Sequence, residues 1–308
     1  MELVRGLHNL SPDHAGCVLT IGKFDGVHKG HQAVLLNLRE KAKQLKLPAV
    51  VMVFEPQPEE VFTPQSAPAR LTTLRDKIEL LTAQGIERLV VVRFNAAFAS
   101  QSPETFIHDL LVDKLGVKFL VVGDDFRFGK QRTGDFSMLE QAGKAQGFDV
   151  VSTASFRLAD CRISSTAIRE ALHNSDFELA ADMLGRPFVF TGKVIHGEKK
   201  GRTIGFPTAN MRMNRCSTPL KGVFAVRVQV NGDTYKGVAN IGQRPTLNGE
   251  RMQLEVHIFN FNASLYGQVI RVIPEAKIRP EKKFASFDAL KKQIVLDACE
   301  AQTLLASM

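Results

Sequence analysis

Hydrophobic residues in the first half of the chain form short, uninterrupted runs. The runs VLTIG, AVVMVF, RLVVVRF, KFLVVG and DVVSTA show no apolar–polar alternation, which is typical of strands covered on both faces. Helical patterns separate these runs, and the first, GHQAVLLNLREKAKQL, places four apolar residues on one face: Leu35, Leu38, Ala42 and Leu45. Strands that alternate with helices predict an α/β domain with a parallel sheet.

Residues that start and stop helices support this assignment. The pattern TLRDKIELLTAQG predicts a helix that stops at Gly85, and SPETFIHDLLVDKLG predicts one capped by Ser102 with Pro103 in its first turn. A further helix is predicted for GDFSMLEQAGKAQG. Ligands of such sheets bind beyond the carboxyl ends of the strands, so we expect a site there.

From about residue 185 onwards, apolar and polar residues alternate strictly. In FAVRVQV every second residue from Phe224 faces one way, with Ala225 on the opposite side. In LEVHIF the apolar residues alternate with Glu255 and His257, and the turn signals NGD and NGE punctuate the segment. This pattern predicts antiparallel strands in a small β-barrel.

The C-terminal segment returns to helical periodicity. Its apolar stripe consists of Phe287, Leu290, Ile294, Ala298, Ala301 and Leu305. We therefore predict an α/β domain over residues 1–184 and, over residues 185–308, an all-β domain with a terminal helix.

Composition narrows the class of protein. The chain has 308 residues and a formal net charge of +8, but its basic residues are dispersed, which favours anionic metabolites over duplex DNA. Four scattered cysteines form neither a zinc pattern nor a disulfide framework. We find no apolar stretch long enough for a transmembrane helix and no signal-peptide pattern, so we expect a cytoplasmic protein with no membrane partner.

The segment GKFDGVHKGH, residues 22–31, lies between the first predicted strand and the helix that follows it. Glycines allow close backbone approach, and a helix N-terminus attracts phosphate. His28 and His31 would add hydrogen-bond donors; the alternative is a glycine-rich turn with two surface histidines. No Walker motif is present, and no third His or Cys ligand is in register for a metal site. Six residues of this segment are predicted to contact nucleotide: Gly22, Lys23, Phe24, Gly26, His28 and His31.

A second motif, ISSTAIR, supplies hydroxyl groups and a cation at a predicted helix start. Ser164, Ser165 and Thr166 are capping residues, and Arg169 lies one turn into the helix. Taken alone, this segment is more often a well-capped helix than a binding site.

The second domain contains a glycine-rich basic segment, GKVIHGEKKGRTIGFPTAN, at residues 192–210. Pro207 fixes a turn, after which Thr208 and Asn210 present two oxygen atoms to a phosphate or to Mg²⁺. Taken alone, the segment is explained equally well as a basic hairpin loop and as a binding site. Its candidates for nucleotide contact are Gly197, Gly201, Thr203, Gly205, Pro207, Thr208 and Asn210.

In this order, HKGH and ISSTAIR resemble the two signatures of nucleotidyltransferases that transfer AMP from ATP to a phosphate acceptor. GRTIGFPTAN, KGVFAV, GVANIGQRPT and LEVHIFNF resemble successive riboflavin kinase signatures, and VGDDFRFG and IRPEKKFASFDAL also match. From about residue 3 to the final helix, the chain resembles the bacterial bifunctional riboflavin kinase/FAD synthetases. The resemblance implies a Rossmann-like nucleotidyltransferase domain followed by the kinase barrel.

The resemblance also implies two reactions and the residues that perform them. Riboflavin and ATP would give FMN in the barrel, and FMN and ATP would give FAD and pyrophosphate in the first domain. Glu255 would be the kinase base, with Thr208 and Asn210 on Mg²⁺. His28, His31 and Arg169 would stabilise the phosphates during adenylyl transfer. Four residues are expected to contact flavin: Phe62, Asp125, Phe128 and Arg279.

Three positions depart from the family pattern. Lys23 stands where the family usually has Asn, Ser264 where it usually has Asp, and Asn260 where acidic residues are common. Lys23 would lose a neutral amide contact but could still meet phosphate, and Ser264 weakens any role of a carboxylate at that position.

Two other functions compete with this interpretation. One is a nucleic-acid-binding module, which would need aromatic platforms among its basic residues. The other is a monofunctional adenylyltransferase with a regulatory barrel, which GFPTAN and LEVH disfavour. We therefore expect riboflavin, FMN and ATP as partners, FAD as a product, and neither nucleic acid nor an obligate protein partner.

Overall fold

A computed structural model of the chain describes residues 1–123, 125–153, 157–158, 161–197, 205–213, 217–246 and 249–308. These residues form two compact units. Unit 1 comprises Met1–Pro68 and Leu74–Ser164, and unit 2 comprises Ala69–Thr73 and Ser165–Met308.

Within the described residues, unit 1 is built on a six-stranded sheet in which every neighbouring pair is parallel. Its strands are β1 Glu2–Arg5, β2 Cys17–Ile21, β3 Ala49–Glu55, β4 Arg88–Arg93, β5 Val117–Gly123 and β6 Asp149–Thr153. The five predicted strands are all present, and their order is β1-β4-β3-β2-β5-β6. A short hairpin, β7 Arg157–Leu158 with β8 Cys161–Arg162, lies outside the sheet.

The strand β1 was not predicted, so the GKFDGVHKGH segment follows the second strand of the chain and not the first. Only one of the four β1 residues, Val4, is buried, because β1 lies at the edge of the sheet beside β4. An edge strand this short carries no continuous apolar run, so periodicity does not reveal it.

Helices cover both faces of the sheet. They are α1 Lys29–Leu45, α2 Pro58–Phe62, α3 Leu74–Ala83, α4 Ala96–Ala99, α5 Pro103–Thr105 and α6 Phe136–Gln146, and α5 continues as a π-helix over Phe106–Lys114. Leu35, Leu38 and Leu81 pack in one core cluster, and the π-helix and α6 contribute to the other. The predicted helical face of α1 is correct except at Leu45, which is 40% exposed in the last turn.

The chain reverses its direction of progress through the sheet between two neighbouring strands. From β2 the chain moves to β3 and β4 on one side, whereas β5 and β6 lie on the other. The carboxyl ends of β2 and β5 therefore flank a topological switch point, where sheets of this type bind ligands. Residues 22–28 follow β2 and residues 125–128 follow β5, so both predicted segments lie at this switch point.

Within its described residues, unit 2 contains a closed barrel of the strands β9 Phe190–Ile195, β10 Ala209–Arg212, β11 Gly222–Val230, β12 Asp233–Thr246, β13 Gly249–Ile258 and β14 Val269–Arg279. Their order around the barrel is β10-β13-β12-β11-β14-β9. They are preceded by α7 Ser165–His173 and α8 Phe177–Leu184 and followed by α9 Phe287–Ala306. The predicted fold class, α/β followed by an antiparallel barrel and a terminal helix, is thus confirmed.

The barrel departs from the predicted alternation on β11. Val223 and Ala225 lie on the outer side of β11 but are buried, since they pack with Ala298, Ala301 and Leu305 of α9. Only the C-terminal half of the predicted α9 stripe is fully buried.

Local signals predicted two further features of unit 2. Asn231 and Gly232 both have positive φ between β11 and β12, as the NGD signal required. Gly185 ends α8 in the left-handed region. The α8 helix belongs to unit 2, where Phe177 packs edge-on against Phe224. The domain boundary between residues 184 and 185 stays a prediction.

Candidate functional site

The loop of residues 22–28, which joins β2 to α1, has an unusual backbone. Phe24, Gly26 and Val27 all have positive φ, at 46°, 86° and 41°. Left-handed backbone is costly for a β-branched residue and persists only where surrounding contacts hold it in place. The loop also packs tightly, since a Cβ on Gly22 would lie 3.2 Å from the Phe24 ring.

His28 is the N-cap of α1. Its Nδ1 accepts a hydrogen bond from the backbone N–H of His31 at 3.3 Å. Because an accepting Nδ1 carries no proton, the proton of the neutral ring is on Nε2. The loop therefore combines a helix N-terminus with an imidazole N–H donor.

His31 lies against the same ring. The two imidazoles stack with centroids 3.7 Å apart, and Phe24 lies 4.9 Å from His31 on a tilted plane. Among the described residues, Nδ1 of His31 is buried without a hydrogen-bond partner. Burial, together with the nearby His28 and Lys77, holds the pKa of His31 well below its usual value, so His31 is neutral at pH 7.

Side chains from two helices bind carbonyl groups of the loop. Lys77 of α3 is fully buried and its Nζ donates to the carbonyl oxygen of Lys23 at 2.6 Å. Gln32 of α1 donates to the carbonyl oxygen of Val27 at 2.9 Å. Both ends of the left-handed stretch are therefore anchored. The sequence analysis identified neither residue, because each lies outside the glycine–histidine motif.

Lys23, which departs from the family pattern, forms an ion pair with Glu59 at the start of α2. The Lys23 side chain is half-exposed. The ion pair links the 22–28 loop to α2, the helix that carries Phe62. Lys23 therefore has a protein partner in this structure.

A row of aromatic rings follows the carboxyl edge of the sheet. Phe62 is 61% exposed and meets Phe94 edge-on at 5.6 Å. The row then passes through Phe98 and Phe106 to Phe128, with successive centroids 5.9, 6.3 and 5.1 Å apart. The sequence analysis missed Phe94 and Phe98, although both lie in the segment directly after β4.

The two flavin residues predicted after β5 differ in exposure. Phe128 is buried and stacks on Phe126 at 5.6 Å, whereas Asp125 is exposed. Phe128 can shape a site from beneath, and Asp125 can reach solvent or ligand. Their roles, like that of Phe62, stay predictions.

The ISSTAIR motif spans the division between the units. Ser164 belongs to unit 1, whereas Ser165, Thr166 and Arg169 begin α7 in unit 2. Within unit 2, Nε of Arg169 donates to the carbonyl oxygen of Ala69 at 2.6 Å. The segment is helical from Ser165, as predicted, and its phosphate contacts stay predictions.

A polar cluster lies across β10 and β13 of the barrel. Asn210 and Glu255 are directly paired across the two strands. Gln253 donates to Oδ1 of Asn210 and, at 3.1 Å, to Oε1 of Glu255. Glu255 is half-buried and Asn210 is buried. A Cβ on Gly197 would collide with the Asn210 amide, so glycine is needed at 197.

The turn before β10 is held from β13. Nδ1 of His257 lies 2.8 Å from the carbonyl oxygen of Pro207; since a carbonyl only accepts, His257 donates there. Thr208 lines a pocket that Phe261, Ser264 and Tyr266 also line. Gly205, another predicted nucleotide residue, is exposed and has a φ of 84°. Gly201 and Thr203 lie outside the described residues.

Arg279 forms a bidentate ion pair with Asp297 of α9. Its Nε and Nη2 donate to the carboxylate at 2.7 to 3.1 Å, and Gln293 donates to the same carboxylate at 2.9 Å. Nη1 donates to the carbonyl oxygen of Pro280 at 3.0 Å. The pair joins the end of β14 to α9, and flavin binding by Arg279 stays a prediction.

Neither a metal cluster nor a membrane span is found in the part of the chain that the structure describes. No group of three His, Cys, Asp or Glu side chains there is arranged to hold a metal ion. None of the described helices is long and apolar enough to cross a membrane.

Two family models match the chain. The model for FAD synthetase matches residues 10–167, and the model for riboflavin kinase matches residues 184–305. The first match covers β2 to the start of α7, and the second covers the barrel and α9.

Curated relatives match over the full length. The chain is 52% identical over 308 residues to the bifunctional riboflavin kinase/FMN adenylyltransferase of Haemophilus influenzae, with all of both chains covered. It is 52% identical to that of Escherichia coli strain K12, with 98% of this chain and 97% of the relative covered. The Pseudomonas fluorescens relative is 48% identical, with 99% and 98% covered.

A solved structure, described as that of a macrolide-efflux protein from Streptococcus pneumoniae, superposes with a TM-score of 0.76. It is 30% identical, and the match covers 96% of this chain and 97% of that one. Together with the parallel sheet, the closed barrel and the two polar sites, these matches confirm the resemblance seen in the motifs. The chain belongs to the family of bifunctional riboflavin kinases/FMN adenylyltransferases.

Proposed function

We propose that the switch point of the unit 1 sheet carries the adenylyl transfer of this bifunctional enzyme, and that the barrel carries the phosphorylation. In the barrel, a ribityl hydroxyl of riboflavin would attack the γ-phosphorus of ATP, giving FMN and ADP. In unit 1, a phosphate oxygen of FMN would attack the α-phosphorus of ATP, giving FAD and pyrophosphate. The observation that carries the first assignment is the stacked histidine pair at the N-terminus of α1.

In adenylyl transfer, the protein stabilises the charge that develops on the leaving pyrophosphate. The 22–28 loop offers helix N–H groups and the Nε2–H donor of His28, and His31 supports that ring by stacking. Gly22, Gly26 and Phe24 would allow the phosphates to approach the backbone, with Lys23 beside them. Within unit 1, Ser164 would add a phosphate contact; for Ser165, Thr166 and Arg169, which belong to unit 2, nucleotide binding rests on the motif alone.

The flavin would lie on the aromatic side of the same edge. Phe62 has the exposure that a stacking platform needs, and its edge-on contact with Phe94 leaves a ring face for the isoalloxazine. Phe128 would support the ring system from the buried side, and Asp125 would accept a hydrogen bond at its rim.

In the kinase reaction, Glu255 would accept the proton of the attacking hydroxyl. Gln253 donates to the Glu255 carboxylate and thereby orients it. Thr208, Gly205 and Pro207 would bind nucleotide near the Thr208 pocket, together with Gly197 and the undescribed Gly201 and Thr203. Arg279 would contact flavin from the end of β14.

The donor set also fits Mg²⁺. Thr208 and Asn210 present oxygen ligands, which this hard cation prefers, and Oδ1 of Asn210 retains a second lone pair beyond its bond from Gln253. Gly197 packs directly against the Asn210 amide, where a Cβ would collide with it, and this contact helps to fix the position of the amide. When bound, Mg²⁺ would neutralise charge on the ATP phosphates.

A flavin assay tests both assignments. The protein is incubated with riboflavin, ATP and Mg²⁺, and the flavins are separated after timed quenching. We expect FMN to appear first and FAD later, and supplied FMN to give FAD directly. A protein that converts FMN to FAD but leaves riboflavin untouched would instead be an adenylyltransferase with a regulatory barrel.

A further inference from the structure

A fully buried lysine lies behind the 22–28 loop, yet none of the motifs contains it. Lys77 is among the largest fully buried side chains described in the chain. Burying an ammonium group is expensive unless it has polar partners. Its Nζ donates to the carbonyl oxygen of Lys23 at 2.6 Å, 54 positions away in the sequence.

The position of that bond is what gives Lys77 a function. Lys23 directly precedes Phe24, the first of the residues with positive φ. Gln32 binds the carbonyl oxygen of Val27, the last of them. Strained backbone persists only where its surroundings over-determine it, and these two side chains fix the carbonyl groups at both ends of the strained stretch.

Lys77 also acts on the histidine pair. Two titratable groups oppose the protonation of His31 in addition to burial: His28, from the same turn, and Lys77, from α3. A cation at position 77 therefore favours the neutral imidazole, whose stacking on His28 orients the donor.

We propose that Lys77 is a positioning residue for adenylyl transfer: through the Lys23 carbonyl it holds the 22–28 loop in the left-handed conformation that presents His28 to the ATP phosphates, with Gln32 anchoring the other end. This inference rests on the proposed function of the loop. Because Lys77 touches the loop backbone, it acts on the reaction through His28.

The test uses the full-length protein, whose kinase reaction serves as an internal control. Lys77→Met removes both the donor and the charge with little change in volume, and Lys77→Gln keeps a donor but loses the charge. Leu81→Ala is the matched control: Leu81 is also fully buried on α3, one turn further on, and packs in the core. Gln32→Leu is a second variant at the opposite end of the loop.

We expect Lys77→Met to lower kcat for FAD formation about 10²-fold, as a small misplacement of catalytic groups does, with FMN formation unchanged. Lys77→Gln should lose less, and Gln32→Leu should lower FAD formation about tenfold. In both Lys77 variants the acidic inflection of the FAD-formation pH profile should move to higher pH, because the charge that opposes His31 protonation is gone. Leu81→Ala should leave that inflection unmoved.

The inference is overturned if Lys77→Met keeps FAD formation within threefold of wild type, or if Leu81→Ala reproduces both the loss and the shift. If Lys77→Met does not fold, as shown by loss of the unit 1 transition in thermal unfolding, then FAD formation by Gln32→Leu and Lys77→Gln tests the inference by the same criteria. Failure of the proposed function is distinguishable, since His28→Ala would then also make FAD at the wild-type rate.

Discussion

The imidazole of His28 caps the helix that begins at Lys29 and at the same time stacks on His31, with planes 18° apart and centroids separated by 3.7 Å. One side chain thus terminates the loop, fixes its own tautomer and orients its neighbour. Because the cap uses Nδ1 and the proposed phosphate contact uses Nε2, the two roles can be separated by substitution.

Replacing His28 separates the cap from the phosphate donor. Asparagine is a good N-cap whereas alanine is a poor one, so His28→Ala should lose about 1 kcal/mol of stability that His28→Asn retains. Both variants should lower FAD formation by about 10²-fold, as removal of a charge-stabilising donor does, and FMN formation should be normal. Steady-state assays with FMN and ATP, alongside urea titrations, measure the two effects; normal FAD formation in His28→Asn would show that His28 is only a cap.

His31 should make stability depend on pH. Its pKa in the folded protein lies well below 6.5, so below about pH 6.5 the unfolded chain binds a proton that the folded chain does not. Stability should therefore fall as pH decreases from 7 to 5, and less so in His31→Gln. Urea midpoints at the two pH values test this, with exposed His108→Gln as the control; an equal fall in wild type and His31→Gln would contradict it.

Glu255→Gln should abolish most kinase turnover. Glutamine keeps the size and hydrogen bonding but cannot take the proton, and loss of a general base costs about 10²–10⁴ in rate. FAD synthesis from supplied FMN should remain intact. Glu275→Gln, which alters another partly buried carboxylate of the same barrel, is the control. If kinase turnover in Glu255→Gln stays within a few-fold of wild type, Glu255 is not the base and has only a structural role.

Gly197→Ala should impair the kinase through Asn210. The added Cβ collides with the Asn210 amide, which must move away from its position beside Gln253 and Glu255. We expect the rate of FMN formation to fall at least tenfold and to depend less strongly on Mg²⁺ concentration. Gly232→Ala is the control, since a Cβ there has no neighbour within 4 Å and only backbone strain is added. Comparable losses in both variants would mean that instability and not Asn210 displacement is responsible.

A fragment from residue 185 should fold and phosphorylate riboflavin, because the closed barrel and α9 lie within it. A fragment from residue 165 should be more stable, since α8 buries Ala180, Met183 and Leu184 and supplies the Phe177 contact to Phe224. Thermal unfolding and FMN formation compare the two. A soluble, folded 185–308 fragment without kinase activity would contradict the proposed boundary.

The sequence by itself determined those features that depend on neighbours along the chain. Apolar runs revealed five strands of the parallel sheet, because their period and length are visible locally. The NGD signal located a hairpin turn through Asn231 and Gly232, since only such residues tolerate its positive φ. Glycines and histidines likewise located the loop and cap at the start of α1, because helix capping and left-handed backbone are local properties; phosphate binding by this loop stays a prediction.

Only the tertiary structure decided which residues support those segments from elsewhere in the chain. Lys77 reaches Lys23 across 54 positions, and nothing in the local pattern of α3 distinguishes a lysine beneath a loop from one in solvent. The edge strand β1 and the covered outer face at Ala225 went unrecognised likewise, because burial there depends on β4 and α9 and not on periodicity. Long-range packing determines which polar group is desolvated, and a desolvated group acts on a site only where the fold brings the two together.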